Sequence, residues 1–239
     1  MFSLPLLAIG IITMLVSWFV SWRLRSKFKE YSQTPLRSGL SGQEIAEMML
    51  KDSGIYDVKV ISVEGQLTDH YNPLNKTVNL SNDVFYGRNA AAVAVSAHEC
   101  GHAVQHQQAY APLKLRSALV PVVNVCAKTL NIANMVLLFG GMYAMNSSRG
   151  GGMGDLLLLV LIGANLGLTL FSMITLPVEF DASHRALAWI DRKGVVTSQE
   201  HTMAKDALHW AAMTYVVAAL GALAQLMYWL MIFLGRRND

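Results

Sequence analysis

The charges of this 239-residue chain avoid four long apolar stretches and gather in the segments between them. A helix needs about 20 apolar residues to cross the hydrocarbon core of a bilayer, and each stretch is long enough. Hydrocarbon offers backbone groups no hydrogen-bond partner, so such stretches fold as helices that satisfy their own backbone. A hydrophobic share of 53%, a charged share of only 15% and a mean hydropathy of +0.35 agree with this reading. The expected fold is a mainly α membrane protein, with about four transmembrane helices and a small α+β polar domain on one membrane face.

The formal net charge of +3 is too small and too dispersed for a nucleic-acid surface, so no nucleic-acid partner is expected. Cys100 and Cys126 belong to no CxxC pair or spaced framework. Neither a disulfide nor a cysteine-based metal site is expected from them.

Leu4 to Trp22 is uncharged and runs directly into Arg23, Arg25, Lys27 and Lys29. A cleaved signal peptide has a basic start and a small-residue cleavage site. Here Met1 to Leu4 is uncharged and the apolar run ends in Trp18, Phe19 and Trp22. The segment reads as an uncleaved anchor with aromatic residues at the interface. The second stretch, about Leu119 to Met145, holds Lys128, which snorkels to the surface if the helix extends past the bilayer. A glycine-rich turn, Asn146 to Asp155 with Arg149, leads into the third span, Leu156 to about Leu176. The fourth runs from about Ala211 to Leu234.

The resulting organisation is an anchor (1–22), a polar α+β region (23–116), a transmembrane hairpin (117–176), a helical segment (177–210) and a final span with its tail (211–239). Four crossings put 23–116 and 177–210 on one side, and these hold fifteen of the nineteen basic residues. The positive-inside rule places that side in the cytoplasm, against a weak opposing pull from Arg236 and Arg237.

Within the polar region, Ser41-Gly42-Gln43-Glu44 has capping-box spacing ahead of Ile45, Met48 and Met49, so a helix is expected from there to Gly54. Tyr56, Val58 and Val60 alternate with polar positions. Leu67 to Tyr71 leads to a turn at Asn72-Pro73-Leu74-Asn75, and Lys76 to Leu80 returns as a second β-like run. A small sheet or hairpin should therefore precede a helix that starts near Asn89 and continues at least to Gln108.

That helix carries His98-Glu99-Cys100-Gly101-His102. Two imidazoles four residues apart project from one helical face, where both reach a single zinc ion. Glu99, beside them, is placed to take a proton from water and pass it to a leaving amine. Gly101 sits mid-helix at a cost of about 1 kcal/mol, which close approach of another helix or a ligand would offset.

Catalytic zinc usually has three protein ligands. Gln105 and Gln108 stand where the extended H-E-x-x-H-x-x-G-x-x-H pattern has its Gly and third His, which excludes that subclass. His106 is rotated away from the pair and reads as a surface or supporting residue. Glu179 is the leading candidate, because Leu176-Pro177-Val178-Glu179-Phe180-Asp181 puts a carboxylate where the third span emerges, on a helix expected to begin at a kink. Asp181, His184 and Glu200 are its rivals.

Together these residues resemble the YugP-type bacterial membrane-bound neutral zinc metallopeptidases, relatives of the heat-shock protease and prenyl-protein endopeptidase group. The likeness covers most of the chain. It rests on the N-terminal anchor, Thr68-Asp69-His70-Tyr71-Asn72-Pro73 with Lys76-Thr77-Val78-Asn79-Leu80-Ser81, Ala97 to Ala103, and Leu176 to Ser183. The resemblance implies a gluzincin-type, zincin-like site at the cytoplasmic face of the bacterial plasma membrane. It implies one zinc held by His98, His102 and Glu179, with Glu99 as general base. The wider group has an aspartate four residues after the glutamate ligand, whereas this chain has Ser183 there and Asp181 two residues earlier. Asp181 is then a candidate to orient one imidazole.

Arg185, His184 and Tyr215 are candidate oxyanion donors. By analogy with related metallopeptidases, Lys76, Thr77, Val78, Asn79 and Leu80 are expected to present an exposed edge to an extended substrate. The activity expected is hydrolysis of peptide bonds in or near membrane-associated proteins. The expected partners are the lipid bilayer, a membrane-associated polypeptide, and a membrane-protein partner or a second copy of the chain. The alternative is a non-catalytic membrane adaptor stapled by a structural zinc, which would need a fourth ligand and would have no use for Glu99. A transporter, suggested by Lys128 and the span asparagines, lacks a visible broken-helix repeat.

Overall fold

The computed structural model describes residues 4–139 and 153–238. Most of the expected glycine-rich turn, including Arg149, lies outside the described residues. In chain order the elements are α1 (Leu4–Ser32), α2 (Gly42–Asp52), β1 (Lys59–Val63), β2 (His70–Asn72) and β3 (Thr77–Ser81). They continue with α3 (Asn82–Phe85), α4 (Ala90–Gln107), α5 (Ala111–Phe139), α6 (Met153–Lys193) and α7 (Ser198–Asn238). The fold is mainly α, and among the described residues four helices are long and apolar enough to cross a membrane. The chain divides into two compact units.

The first unit, Met1–Trp18, Leu115–Leu176 and Tyr215–Asp239, is the membrane unit. Leu130, Ala133, Leu158, Leu161, Ala164, Tyr228 and Trp229 form its buried cluster. Leu7, Leu15, Val125, Ile132, Leu159, Leu170 and Met231 are exposed, which is the pattern of helices solvated by lipid. Polar side chains in α6 are satisfied locally. Thr169, Ser172 and Thr175 each donate to the carbonyl four residues back, and Asn165 Nδ2 donates to Leu161 O. Lys128 is exposed on α5.

The second unit, Phe19–Lys114 and Pro177–Thr214, carries the chemistry. Its helix α2 begins with the expected capping box, Ser41 Oγ accepting from Glu44 N while Glu44 returns to Ser41 N. Asn89 caps α4 by accepting from Ala92 N. The Ala90–Ala94 run, Ala97, Cys100 and Ala103 are all buried, so α4 is surrounded rather than amphipathic. Ile45, Met49 and Leu50 of α2, Val78 and Leu80 of β3, and Ala186, Trp189 and Ile190 of α6 belong to the same core. Fully burying a side chain such as Ile45 or Ile190 stabilises by about 1.5–3 kcal/mol. Trp189 Nε1 and Lys193 Nζ both donate to Asp52, joining α6 to the end of α2.

The sheet has the order β1-β3-β2, with β1 parallel and β2 antiparallel to β3. This corrects the expected substrate edge. Thr77, Val78, Asn79 and Leu80 lie in the central strand, the first three paired on both sides and Leu80 with β1, and all but Thr77 are buried. Lys76 is the left-handed turn residue before it, at φ 49°. The sheet's free edges belong to β1 and β2.

Helix ends also differ from expectation. Helix α1 continues past Trp22 to Ser32, because Arg23 lies over the Trp210 ring, Lys27 pairs with Asp206, and Tyr31 donates to the same carboxylate. Helix α6 does not begin at Pro177 but runs through it. Proline lacks the N–H that would bond one turn back, yet the helix holds on both sides.

Candidate metal centre

Helices α4 and α6 approach at Gly101. A Cβ there would lie 2.6 Å from Ala182 O, so only glycine lets the α6 backbone come this close. The contacts along the pair run in opposite order, His98 to Ser183, His102 to Glu179 and Gln105 to Val178. The helices therefore cross antiparallel, and the first His of the motif faces the C-terminal side of Glu179.

This crossing brings His98, His102 and Glu179 together, with one donor atom from each within 4.8 Å of the other two. Glu179 Oε2 lies 3.3 Å from His98 Nε2 and 3.6 Å from His102 Nε2. Tetrahedral zinc with bonds of about 2.0–2.1 Å separates its ligands by about 3.3–3.4 Å, so this donor set fits the ion. Glu179 is 2% exposed. Burial alone would pull the His102 pKa down, but the Glu179 carboxylate and the charge of Glu99 outweigh it and raise it above the ordinary imidazole value.

The remaining ring nitrogens are also engaged. His98 Nδ1 lies 3.1 Å from Ser183 Oγ, and His102 Nδ1 lies 3.0 Å from Gln105 Oε1. Asp181 does not orient an imidazole directly: its Oδ2 accepts from Gln105 Nε2 at 2.7 Å and from Arg185 Nε at 2.5 Å. Arg185, considered as an oxyanion donor, is committed to this carboxylate and to Gln108 Oε1. His184 is exposed, about 140° around the helix from Glu179. Tyr215 belongs to the membrane unit. Glu200 accepts from Arg37 N and Thr197 N, which makes it a cap at the start of α7. Among the described residues the donor set thus has three members, short of the four that close a structural zinc site.

Glu99 is 8% exposed, and its Oε2 accepts from Tyr71 N at 2.9 Å. Tyr71 is the middle residue of the edge strand β2, and its hydroxyl lies 2.8 Å from His106 Nδ1. Asp69, just before β2, accepts from Ser81 N and Oγ and so ties β2 to the end of β3. Burial pushes the Asp69 carboxyl above its usual range. Burial also pushes the Cys100 thiol far up, which leaves it protonated and inert. Gln105, Tyr71 and Asp69 were not singled out as site residues from the sequence. Gln105, three residues after His102 on the same helical face, carried the only spacing signal among them.

Residues 6–234 match the family described as "Putative neutral zinc metallopeptidase". The chain belongs to this family. The chain is also similar to "Putative membrane protease YugP" of Bacillus subtilis (strain 168), 40% identical over 230 residues, or 94% of each chain. No solved structure matches. Membership of the neutral zinc metallopeptidase family implies a zinc cofactor and a protease role, and the apolar helices place the chain in a membrane.

Proposed function

We propose that the chain is a zinc-dependent endopeptidase of the gluzincin type that cleaves polypeptides in or near the membrane, with one zinc ion per chain. The observation that carries this reading is the three-donor set with a buried carboxylate, Glu99, beside it and fixed by its own backbone donor. His98, His102 and Glu179 would hold the ion. When bound, zinc supplies the Lewis acidity that polarises a scissile carbonyl and lets water ionise near neutral pH. Tyr71 N–H occupies Glu99 Oε2 and orients the carboxylate, leaving Oε1 to take a proton from water and deliver it to the leaving amine. Low exposure around Glu99 and Glu179 strengthens each of these electrostatic interactions.

Purified full-length protein in detergent is expected to cleave an unfolded protein, to stop when a chelator strips its zinc, and to recover when zinc is restored. Undiminished cleavage by fully stripped protein would sink the reading. The charge distribution supports a cytoplasmic site, since the segments flanking it hold most of the Lys and Arg. In intact cells Gly150→Cys is expected to react with an impermeant thiol reagent and Lys193→Cys to stay protected; the opposite pattern reverses the orientation.

A further inference from the structure

Gln105 and Gln108, which stand where an extended zinc motif has Gly and His, are both engaged. Gln105 is fully buried, with Nε2 at 2.8 Å from Val178 O and 2.7 Å from Asp181 Oδ2. Both neighbours are acceptors, so the amide nitrogen must face them and the amide oxygen must face His102 Nδ1. A ring nitrogen that meets an acceptor carries the proton. In the neutral ring, the form that binds a metal, the proton therefore sits on Nδ1 and Nε2 keeps its lone pair on the side of His98 and Glu179.

The amide is itself held in this orientation. The Asp181 oxygen that accepts from Gln105 also accepts from Arg185 Nε, and Arg185 reaches on to Gln108 Oε1 and lies over the Tyr110 ring. His98 has no comparable constraint. Its Nδ1 meets the Ser183 hydroxyl, which can donate or accept and so imposes no tautomer.

We infer that Gln105 is a positioning residue for the metal: it fixes His102 as the Nδ1–H tautomer, and Asp181 and Arg185 hold Gln105 in the one amide orientation that does so. This rests on the zinc site proposed above. A neutral imidazole otherwise divides between two tautomers, of which only one presents Nε2 to a metal. The consequence is that the neutral ring offers Nε2, on the side of His98 and Glu179, and not Nδ1 as the donor.

The test is the zinc affinity of the metal-stripped full-length chain in detergent, read by competition with a chromophoric chelator. Gln105→Met keeps the length and removes donor and acceptor, and is expected to weaken zinc binding about 10–100-fold. Asp181→Asn can still accept from Gln105 and Arg185 through its one carbonyl oxygen, and should bind within about threefold of wild type. Asp181→Leu cannot accept, and should bind about tenfold more weakly. The melting temperature of the zinc-free Gln105→Met protein should stay close to wild type. The inference is overturned if Gln105→Met binds zinc like wild type, if its loss merely tracks a fall in melting temperature, or if Asp181→Asn is as weak as Asp181→Leu. His98→Ala separates the two levels: should it bind zinc as tightly as wild type, the zinc-site reading itself falls.

Discussion

Glu99→Gln is expected to lower cleavage of an unfolded protein by about 10²–10⁴-fold while zinc content stays at the wild-type level. Glu99 is not one of the three converging donors, so metal binding does not need it. The amide has nearly the shape of the carboxylate, and its carbonyl can accept Tyr71 N–H as Oε2 does. The packing of α4 is therefore kept, and β2 keeps its tie to the helix. What the variant loses is basicity, because an amide takes no proton from water near neutral pH. Zinc content, melting temperature and kcat/KM measured on one preparation separate the possibilities. A variant that cleaves at the wild-type rate removes Glu99 from the chemistry. A variant that arrives without zinc moves Glu99 into the donor set.

The spans were legible because hydrocarbon imposes a length and a composition, but their ends were not. Whether α1 stops at Trp22 or continues to Ser32 depends on Trp210 and Asp206, almost two hundred residues away in sequence. Gly101 announced a close approach, since a mid-helix glycine is otherwise unfavourable, yet nothing in its neighbourhood named Ala182 as the partner. The alternation around Val58, Val60 and Val78 indicated strands without their order. Placing the last strand in the centre requires a parallel pairing of β1 with β3 across an intervening strand, which local periodicity does not encode. The same limit explains the site. His98, Glu99 and His102 carry a spacing with a chemical meaning. Gln105 and Ser183 are ordinary polar residues until the helix crossing sets each against an imidazole.

Glu179→Ala is expected to weaken zinc binding by more than about 100-fold, beyond the 10–100-fold typical of residues that only support a ligand. Two imidazoles remain after the substitution, one fewer than the three protein donors of a catalytic zinc site. The cavity left by the side chain is a separate effect, and Glu179→Gln separates it by keeping the volume while removing the charge; it should lose zinc almost as completely. The rival acids Asp181 and Glu200 are already engaged. Asp181 is tied to Gln105 and Arg185, and Glu200 is spent on Arg37 N and Thr197 N. Nor can the helices re-space to swing Asp181 inward, because the Ala182 backbone already sits where a Cβ on Gly101 would clash. Chelator competition on the stripped protein reads the outcome directly. Stoichiometric zinc held by Glu179→Ala at wild-type affinity would mean that the third donor comes from elsewhere, and that the convergence of Glu179 with the two histidines serves packing alone.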